Sequence, residues 1–233
     1  MKAVILAAGK GTRLGEITTR TPKPLLEVDG KPILQHQIEL CAKHGVRELF
    51  INTHHLAEKI RDRFGDGSSL GVSITYSYEP DLLGTAGALH NFQEHLYDSH
   101  FFALYGDNRC DYDLRSLYDF HIQKSAIGTI ALFEKQDVAN SGIAILDPSN
   151  RILRFIEKPE PSEYVSNLVN AGVYVLSPRI FEYIPHGYSD FGRDIFPKLI
   201  SEGEMLFGVV TQGRLDAVDT IELYHEARDK EKK

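Results

Sequence analysis

The chain has 233 residues, 42% hydrophobic and 25% charged, which is enough for one sizeable core. Its formal net charge of −7 excludes a general nucleic-acid binder, which needs a basic face. The two cysteines, Cys41 and Cys110, make no metal-ligand spacing and predict a reduced, cytoplasmic protein without a disulfide, and no stretch approaches the ~20 apolar residues of a membrane span.

In chain order, residues 3–7 predict a buried strand, too short with its flanks for a signal peptide. Val28-Asp29-Gly30-Lys31 predicts a turn. Residues 32–43 carry Ile33, Leu34, Ile38 and Cys41 at helical spacing, with Pro32 in the first turn and Gly45 as the stop. Residues 48–52 read as a strand, 56–64 as a helix ending at Gly65, and 72–77 as a third strand. A helix is expected over 85–96 and a fully apolar strand over 101–105. Strands are then expected over 127–133, 142–146, 152–156 and 171–176, with a hairpin turn at Asp147-Pro148-Ser149-Asn150. Helices are expected over 191–200 and 221–228, and 226–233 reads as a mixed-charge helix end or frayed tail. The alternation predicts an α/β fold: a Rossmann-like open, mostly parallel sheet flanked by helices, with a smaller mixed lobe. The expected organisation is one domain over 1–233, with lobes 1–110 and 111–233 meeting at a seam and not at a hinge.

The chemistry is densest near the start. A strand runs into Gly9-Lys10-Gly11-Thr12-Arg13-Leu14, and Pro22-Lys23-Pro24-Leu25 follows. Glycines let backbone N–H groups approach phosphate oxygens, and Arg13 and Lys23 add the charge that backbone dipoles cannot supply. This is a pattern for holding a polyphosphate. It is not a Walker loop, which needs G-x-x-x-x-G-K-[ST], and Leu14 stands where a dinucleotide fingerprint needs its third glycine. Asp107 follows the strand 101–105, at the carboxyl end where ligands of parallel sheets bind. Such a hard oxygen suits Mg²⁺ held with substrate phosphates, or simply starts a turn before Asn108. Glu79-Pro80 and Leu83-Gly84-Thr85-Ala86-Gly87 form a second glycine-bearing turn that opens a helix, either a ligand contact or an N-cap at Thr85. Glu157-Lys158-Pro159 taken alone is a solvated turn. The ten histidines form no ligand set.

Leu6-Ala7-Ala8-Gly9-Lys10-Gly11-Thr12-Arg13-Leu14 with Thr21-Pro22-Lys23-Pro24-Leu25 resembles the signature of sugar-1-phosphate nucleotidylyltransferases, the NDP-sugar pyrophosphorylases. Gly106-Asp107, the L-G-T-A-G segment, Glu157-Lys158-Pro159 and Asn170-Ala171-Gly172-Val173-Tyr174 follow in the family's order, so the resemblance covers nearly the whole chain. It implies a nucleotide-binding lobe over 1–110 and a sugar-phosphate-binding lobe over 111–233. It implies Arg13 and Lys23 as catalytic cations. Leu6, Ala7, Ala8, Gly9, Gly11, Thr12, Glu79, Gly84, Thr85, Gly87 and Asp107 would then bind the nucleotide. Asn108, Gly142, Glu157, Lys158, Asn170 and Gly172 would bind the sugar 1-phosphate. Mg²⁺ would sit on Asp107 and a second aspartate. The family's W-x-D-x-G-T is replaced here by Gly213-Arg214-Leu215-Asp216-Ala217-Val218-Asp219-Thr220, with Ala217 at the usual place. Asp219 is the first choice for that aspartate and Asp216 the second.

The resemblance implies transfer from an NTP to a sugar 1-phosphate, with pyrophosphate leaving. GTP and a manno-configured hexose or heptose 1-phosphate are the expected pair, for surface-glycan precursors. The alternatives are uridylyl transfer to N-acetylmuramate 1-phosphate and thymidylyl transfer to glucose 1-phosphate. From another class comes a nucleotide-sugar sensor or regulatory subunit that has lost the chemistry. No nucleic-acid or membrane partner is expected, and a homo-oligomer stays open.

Overall fold

Lys2–Leu6 (β1) opens the chain with Ala3, Val4 and Ile5 fully buried, as a strand covered on both faces requires. The computed structural model describes residues 1–229, so of the helix end or tail expected over 226–233 only 226–229 are described, and 230–233 lie outside the described residues. A short helix, Ile17–Arg20 (α1), precedes a hairpin of Glu27–Val28 (β2) and Lys31–Pro32 (β3). The expected turn is its tip, where Asp29 and Gly30 take φ of 51° and 67°. Two successive positive φ values make the tight turn that matches strand twist.

Ile33–Lys43 (α2) starts after Pro32 and gives way at Gly45, φ 77°. Glu48–Thr53 (β4), Ala57–Phe64 (α3) and Ser73–Tyr78 (β5) follow, each within two residues of its expected bounds. The helix expected over 85–96 is instead three pieces: Gly84–Gly87 (α4), a 3-10 stretch Ala88–Phe92, and Gln93–Leu96 (α5). Ala86, Gly87, Ala88 and Leu89 are buried in succession. One face of a straight α-helix cannot cover four consecutive residues, so the winding changes.

Phe101–Tyr105 (β6) and Asn108–Cys110 (β7) lead to Leu114–Gln123 (α6), a helix absent from the sequence reading. Its buried face is Leu114, Leu117 and His121, so a polar residue type stands at one core position and hides the periodicity. Gly128–Glu134 (β8), Gly142–Leu146 (β9), Ile152–Glu157 (β10) and Leu168–Leu176 (β11) form the later strands. The helix expected over 191–200 begins as a wide π turn, Phe191–Ile195, and becomes regular only at Phe196–Ser201 (α7). Pro197 has no N–H to return to Arg193, which interrupts the regular ladder there. Leu206–Val210 (β12), Leu215–Ala217 (β13) and Ile221–Asp229 (α8) end the described chain.

By contacts the chain forms two compact units, interleaved in sequence. The first takes residues 1–82, 104–112 and the segment from 213 on. Its sheet runs β1-β4-β5, with β4 parallel to both β1 and β5. β7 and β13 pair antiparallel beside it, with Asp216 opposite Arg109. Tyr224 and Ala227 of α8 close a small core with Leu14, Leu26, Val28, Ile33 and Val218. The second unit takes 83–103 and 113–212 and is mixed. There β8 is antiparallel to β11 and parallel to β12, and β9 is antiparallel to β10 and β11. The sheet is thus mostly parallel in the first unit and mixed in the second. Cys41 and Cys110 are both free and buried. No helix among the described residues is long and apolar enough to cross a membrane.

His121 is fully buried, its Nδ1 2.9 Å from the Thr129 hydroxyl and its Nε2 2.8 Å from His100 Nδ1. Burial first, and His100 second, push its pKa down to about 3. The unfolded chain therefore takes up a proton below ~6.5 that the fold refuses until about 3, so stability falls with pH across that window. Unfolding free energy should drop by up to ~1.4 kcal/mol per pH unit from this group. Denaturant titrations between pH 7 and 4.5 should show a shallower decline for His121→Gln than for wild type.

Candidate active site

Lys23 lies in a 3-10 turn, Lys23–Leu25, fixed by Pro22 and Pro24, and is only 5% exposed. Its Nζ donates to Asp107 Oδ2 at 2.5 Å and to Asp219 Oδ1 at 2.8 Å. Arg13, more than half exposed, reaches the same Asp219 oxygen at 3.1 Å. Two cations and two carboxylates from four stretches of the first unit thus converge. Burial alone would lower the Lys23 pKa, but the charges and hydrogen bonds of Asp107 and Asp219 together outweigh it and hold the pKa above the ordinary lysine value. Asp107 follows Gly106 directly after β6, and the N–H of Gly106 donates to the carbonyl of Leu6 at the end of β1. The aspartate is therefore carried on paired sheet backbone.

The loop from Ala7 to Gly15 is shaped by contacts with no counterpart in the motif reading. Thr18, 4% exposed, donates its hydroxyl to the carbonyls of Gly11 and Gly15 at 3.1 and 3.0 Å. Gly11 has φ 64°, and a Cβ there would stand 2.9 Å from Thr18 Cγ2 and 3.2 Å from Lys23 Cβ, so only glycine lets the loop lie on the lysine stem. At Gly9 a Cβ would meet nothing within 4 Å, so the fold itself does not demand glycine at that position. Leu6, Ala7 and Ala8 lead into this loop at the end of β1, and Thr12 begins its 3-10 turn.

At the start of the loop Ala7 N–H donates to Asn52 Oδ1 at 2.7 Å, and Asn52 Nδ2 donates to Glu79 Oε1 at 2.8 Å. Glu79 is 1% exposed and Asn52 2%. The glutamate expected at the nucleotide thus faces inward and acts on the loop through Asn52. Asn52, Thr18 and Gln37 were not singled out as site residues. Gln37, 1% exposed on α2, donates to the carbonyl of Asn108 beside Asp107. For Asn52 and Gln37 the one sequence signal is a polar residue inside an otherwise apolar strand or helix face, whereas Thr18 in the short polar α1 carries none. Asp216, the second choice for that aspartate, is buried on β13. Its carboxylate accepts from Arg214 Nε, and Arg214 and Arg109 both pair with Asp29 at the hairpin tip.

In the second unit Glu157 ends β10 and Lys158 follows at φ 52°, its N–H donating to the carbonyl of Ser141 at 3.2 Å. The Glu157 side chain is wedged between backbones: a Cβ at Gly142 or at Gly192 would come within 2.6 Å of Oε2. Burial first, then the charge of Asp190, raise its pKa against the opposing pull of Lys158 and Arg193. Asn170 donates to the Tyr174 hydroxyl at 2.8 Å and accepts from Gly172 N–H at 2.9 Å, pinning the β11 bulge where Gly172 has φ 69°. Gly84, Thr85 and Gly87 lie in α4, against residues 187–191.

The donor set of the first unit fits a divalent cation. Asp107 and Asp219 offer hard oxygens, both side chains are about one-third exposed at 32%, and both already converge on one positive charge. No group of three or more His, Cys, Asp or Glu side chains among the described residues could hold a metal by itself. Two carboxylates completed by phosphate oxygens and water is the arrangement Mg²⁺ commonly takes.

A glycine loop after β1 and a buried lysine held between Asp107 and Asp219, with Arg13 beside them, define an α/β protein with a paired-charge site on its first unit. The family model described as nucleotidyl transferase matches residues 2–232, and the chain belongs to that family. It is 39% identical to the UTP–glucose-1-phosphate uridylyltransferase of Synechocystis sp. over 223 residues, 90% of this chain and 58% of that protein. It is 38% identical to the mannose-1-phosphate guanylyltransferase catalytic subunit beta of Danio rerio over 217 residues, 91% of this chain and 59% of that one. The chain therefore spans a little under three-fifths of the curated relatives it matches. Among solved structures, HddC from Yersinia pseudotuberculosis complexed with GMP-PN matches with a TM-score of 0.83 at 27% identity over 98% of both chains.

Asn52→Leu should remove the acceptor of Ala7 N–H and leave the Glu79 carboxylate buried without its amide donor, costing about 2–4 kcal/mol of unfolding free energy. The swapped pair Asn52→Asp with Glu79→Gln keeps the Ala7 bond unchanged and reverses the other, the amide at position 79 donating to the carboxylate at position 52. Chemical denaturation at pH 7 should show the double variant more stable than Asn52→Asp alone, in which two buried carboxylates face each other.

Proposed function

We propose that the protein transfers a nucleotidyl group from an NTP to a sugar 1-phosphate, giving an NDP-sugar and pyrophosphate. The observation that carries this reading is the buried Lys23 ammonium shared by Asp107 and Asp219, with Arg13 beside them. A site built this way handles concentrated negative charge. An oxygen of the sugar 1-phosphate attacks the α-phosphorus in line, the bond from that phosphorus to the bridging β-phosphate oxygen breaks, and pyrophosphate leaves. The attacking phosphate is already an anion at neutral pH, so no general base is needed. Positioning and charge neutralisation carry the rate.

Lys23 is assigned to the α-phosphate and Arg13, the exposed cation, to the departing pyrophosphate. Backbone N–H groups from Gly9 to Thr12 are assigned to the phosphates, held in shape by Thr18. Leu6, Ala7, Ala8, Gly84 and Gly87 are assigned to the base and ribose, and Glu79 to holding Asn52. Lys158 is assigned to the incoming phosphate. Glu157, with Asn108, Gly142, Asn170 and Gly172, is assigned to the sugar. Asp107 and Asp219 would hold Mg²⁺, which when bound neutralises phosphate charge.

GTP with a manno-configured sugar 1-phosphate is the pair we favour, supported by the likeness to a structure solved with GMP-PN and to a mannose-1-phosphate guanylyltransferase subunit. UTP with glucose 1-phosphate is the second reading, favoured by the 39% identity to a uridylyltransferase. The test is pyrophosphate release with Mg²⁺, crossing GTP, UTP, dTTP, CTP and ATP with mannose, manno-heptose, glucose and N-acetylmuramate 1-phosphates. One productive pair identifies the substrates, whereas silence across the panel with nucleotide still bound would favour a regulatory protein.

Arg13→Ala and Lys23→Ala should each lower turnover by about two or more orders of magnitude, the scale of losing a charge contact made in the transition state. Near-wild-type turnover in either would remove the role assigned to it. EDTA should abolish release and added Mg²⁺ restore it, while activity that survives chelation would refute the Asp107 and Asp219 assignment.

A further inference from the structure

The Leu83–Gly87 turn spends much of its polar capacity inside the protein. The N–H groups of Ala86 and Gly87 both donate to the carbonyl of Ser189, at 3.0 and 3.2 Å, and Ser189 N–H donates to the carbonyl of Leu83 at 3.0 Å. Gly87 permits this approach, because a Cβ there would lie 2.1 Å from the carbonyl oxygen of Gly187. The Thr85 hydroxyl closes the interlock. It donates to Asp190 Oδ2 at 2.8 Å and accepts from Phe191 N–H at 2.9 Å.

Asp190 passes this order on. Its second oxygen accepts from the N–H groups of Gly192 and Arg193, at 2.9 and 3.1 Å. Its own N–H donates to Asp194 Oδ2 at 2.7 Å. One carboxylate therefore sets the backbone at residues 190–193. Gly192 in that segment is one wall of the slot that seats Glu157, and Gly142 is the other. A small displacement of Gly192 moves a wall that leaves no room for even a Cβ before the Glu157 oxygen.

We propose that Thr85 is a positioning residue for the sugar 1-phosphate: its hydroxyl holds Asp190, Asp190 holds Gly192, and Gly192 with Gly142 fixes the Glu157 carboxylate. This inference rests on the reading of Glu157 and Lys158 as sugar-1-phosphate contacts. A threonine inside the turn assigned to the nucleotide thereby sets affinity for the other substrate. The field at Glu157 agrees with this path, since after burial the charge of Asp190 is the largest influence on its carboxyl.

Thr85→Val keeps the side-chain shape and removes both hydrogen bonds, and Thr85→Ser keeps the hydroxyl. KM values for NTP and sugar 1-phosphate are measured separately, with GTP and mannose 1-phosphate and with UTP and glucose 1-phosphate, alongside thermal midpoints. Thr85→Val should raise KM for the sugar 1-phosphate about tenfold, the scale of losing one to two buried hydrogen bonds, and raise it more than KM for the NTP. Thr85→Ser should recover most of that loss. On a Glu157→Gln background the same change should have a much smaller effect, because the two residues act in series. A larger effect on the NTP, or an undiminished factor on that background, would overturn the inference while leaving the transferase reading intact. Wild-type protein that neither turns over nor binds either sugar 1-phosphate would overturn the transferase reading and this inference with it.

Discussion

A lysine ammonium shut away from water needs anionic partners, and two nearby carboxylates need a cation. Lys23, Asp107 and Asp219 satisfy both demands at once. Removing the lysine leaves like charges converging, and removing either aspartate weakens the compensation of a cation that is almost fully buried. Much of the first unit serves this meeting. Pro22 and Pro24 shape the turn that carries Lys23, β1 supports the strand end before Asp107, and the core under α8 anchors the chain that follows Asp219.

The same logic operates with steric means in the second unit. Glu157 sits where two side chains are missing, so the carboxylate is placed by backbone walls. Such seating leaves it half-buried and raises its pKa, an environment suited to recognising hydroxyl donors. Lys158, exposed and held at positive φ by the bond of its N–H to Ser141, is aimed by backbone conformation. The two units thus rely on different devices: ion pairing in one and close backbone approach in the other.

Local patterns carried much of the fold in the sequence. β1, β4 and α2 follow from apolar runs and spacing, and Asp29-Gly30 from turn chemistry. α6 escaped because His121 occupies a core position, and 85–96 broke because four buried residues in a row outstrip one helix face. Arg13 and Lys23 were visible as candidates because their motif is contiguous. Asp219 stood ahead of Asp216 as the second aspartate, but its meeting with Lys23 was not legible, because the contact joins residues 196 apart and depends on how β13 turns its neighbours. The inward orientation of Glu79 was hidden for the same reason. Its partner Asn52 lies on the neighbouring strand, and nothing in either local stretch records the pairing.

The interleaving of the first unit has a consequence for the newly made chain. Lys23 emerges from the ribosome long before Asp219, and at ~5–20 residues per second the delay is on the order of 10–40 s. During that interval the lysine has Asp107 at most, and the whole sequence of the second unit, which ends at residue 212, is synthesised before Asp219 appears. The charge cluster is therefore among the last features to be completed, and a nascent chain stalled before residue 213 would present a lysine with half its counter-charge. Vectorial synthesis thus withholds the finished site until nearly all of the described chain has been made.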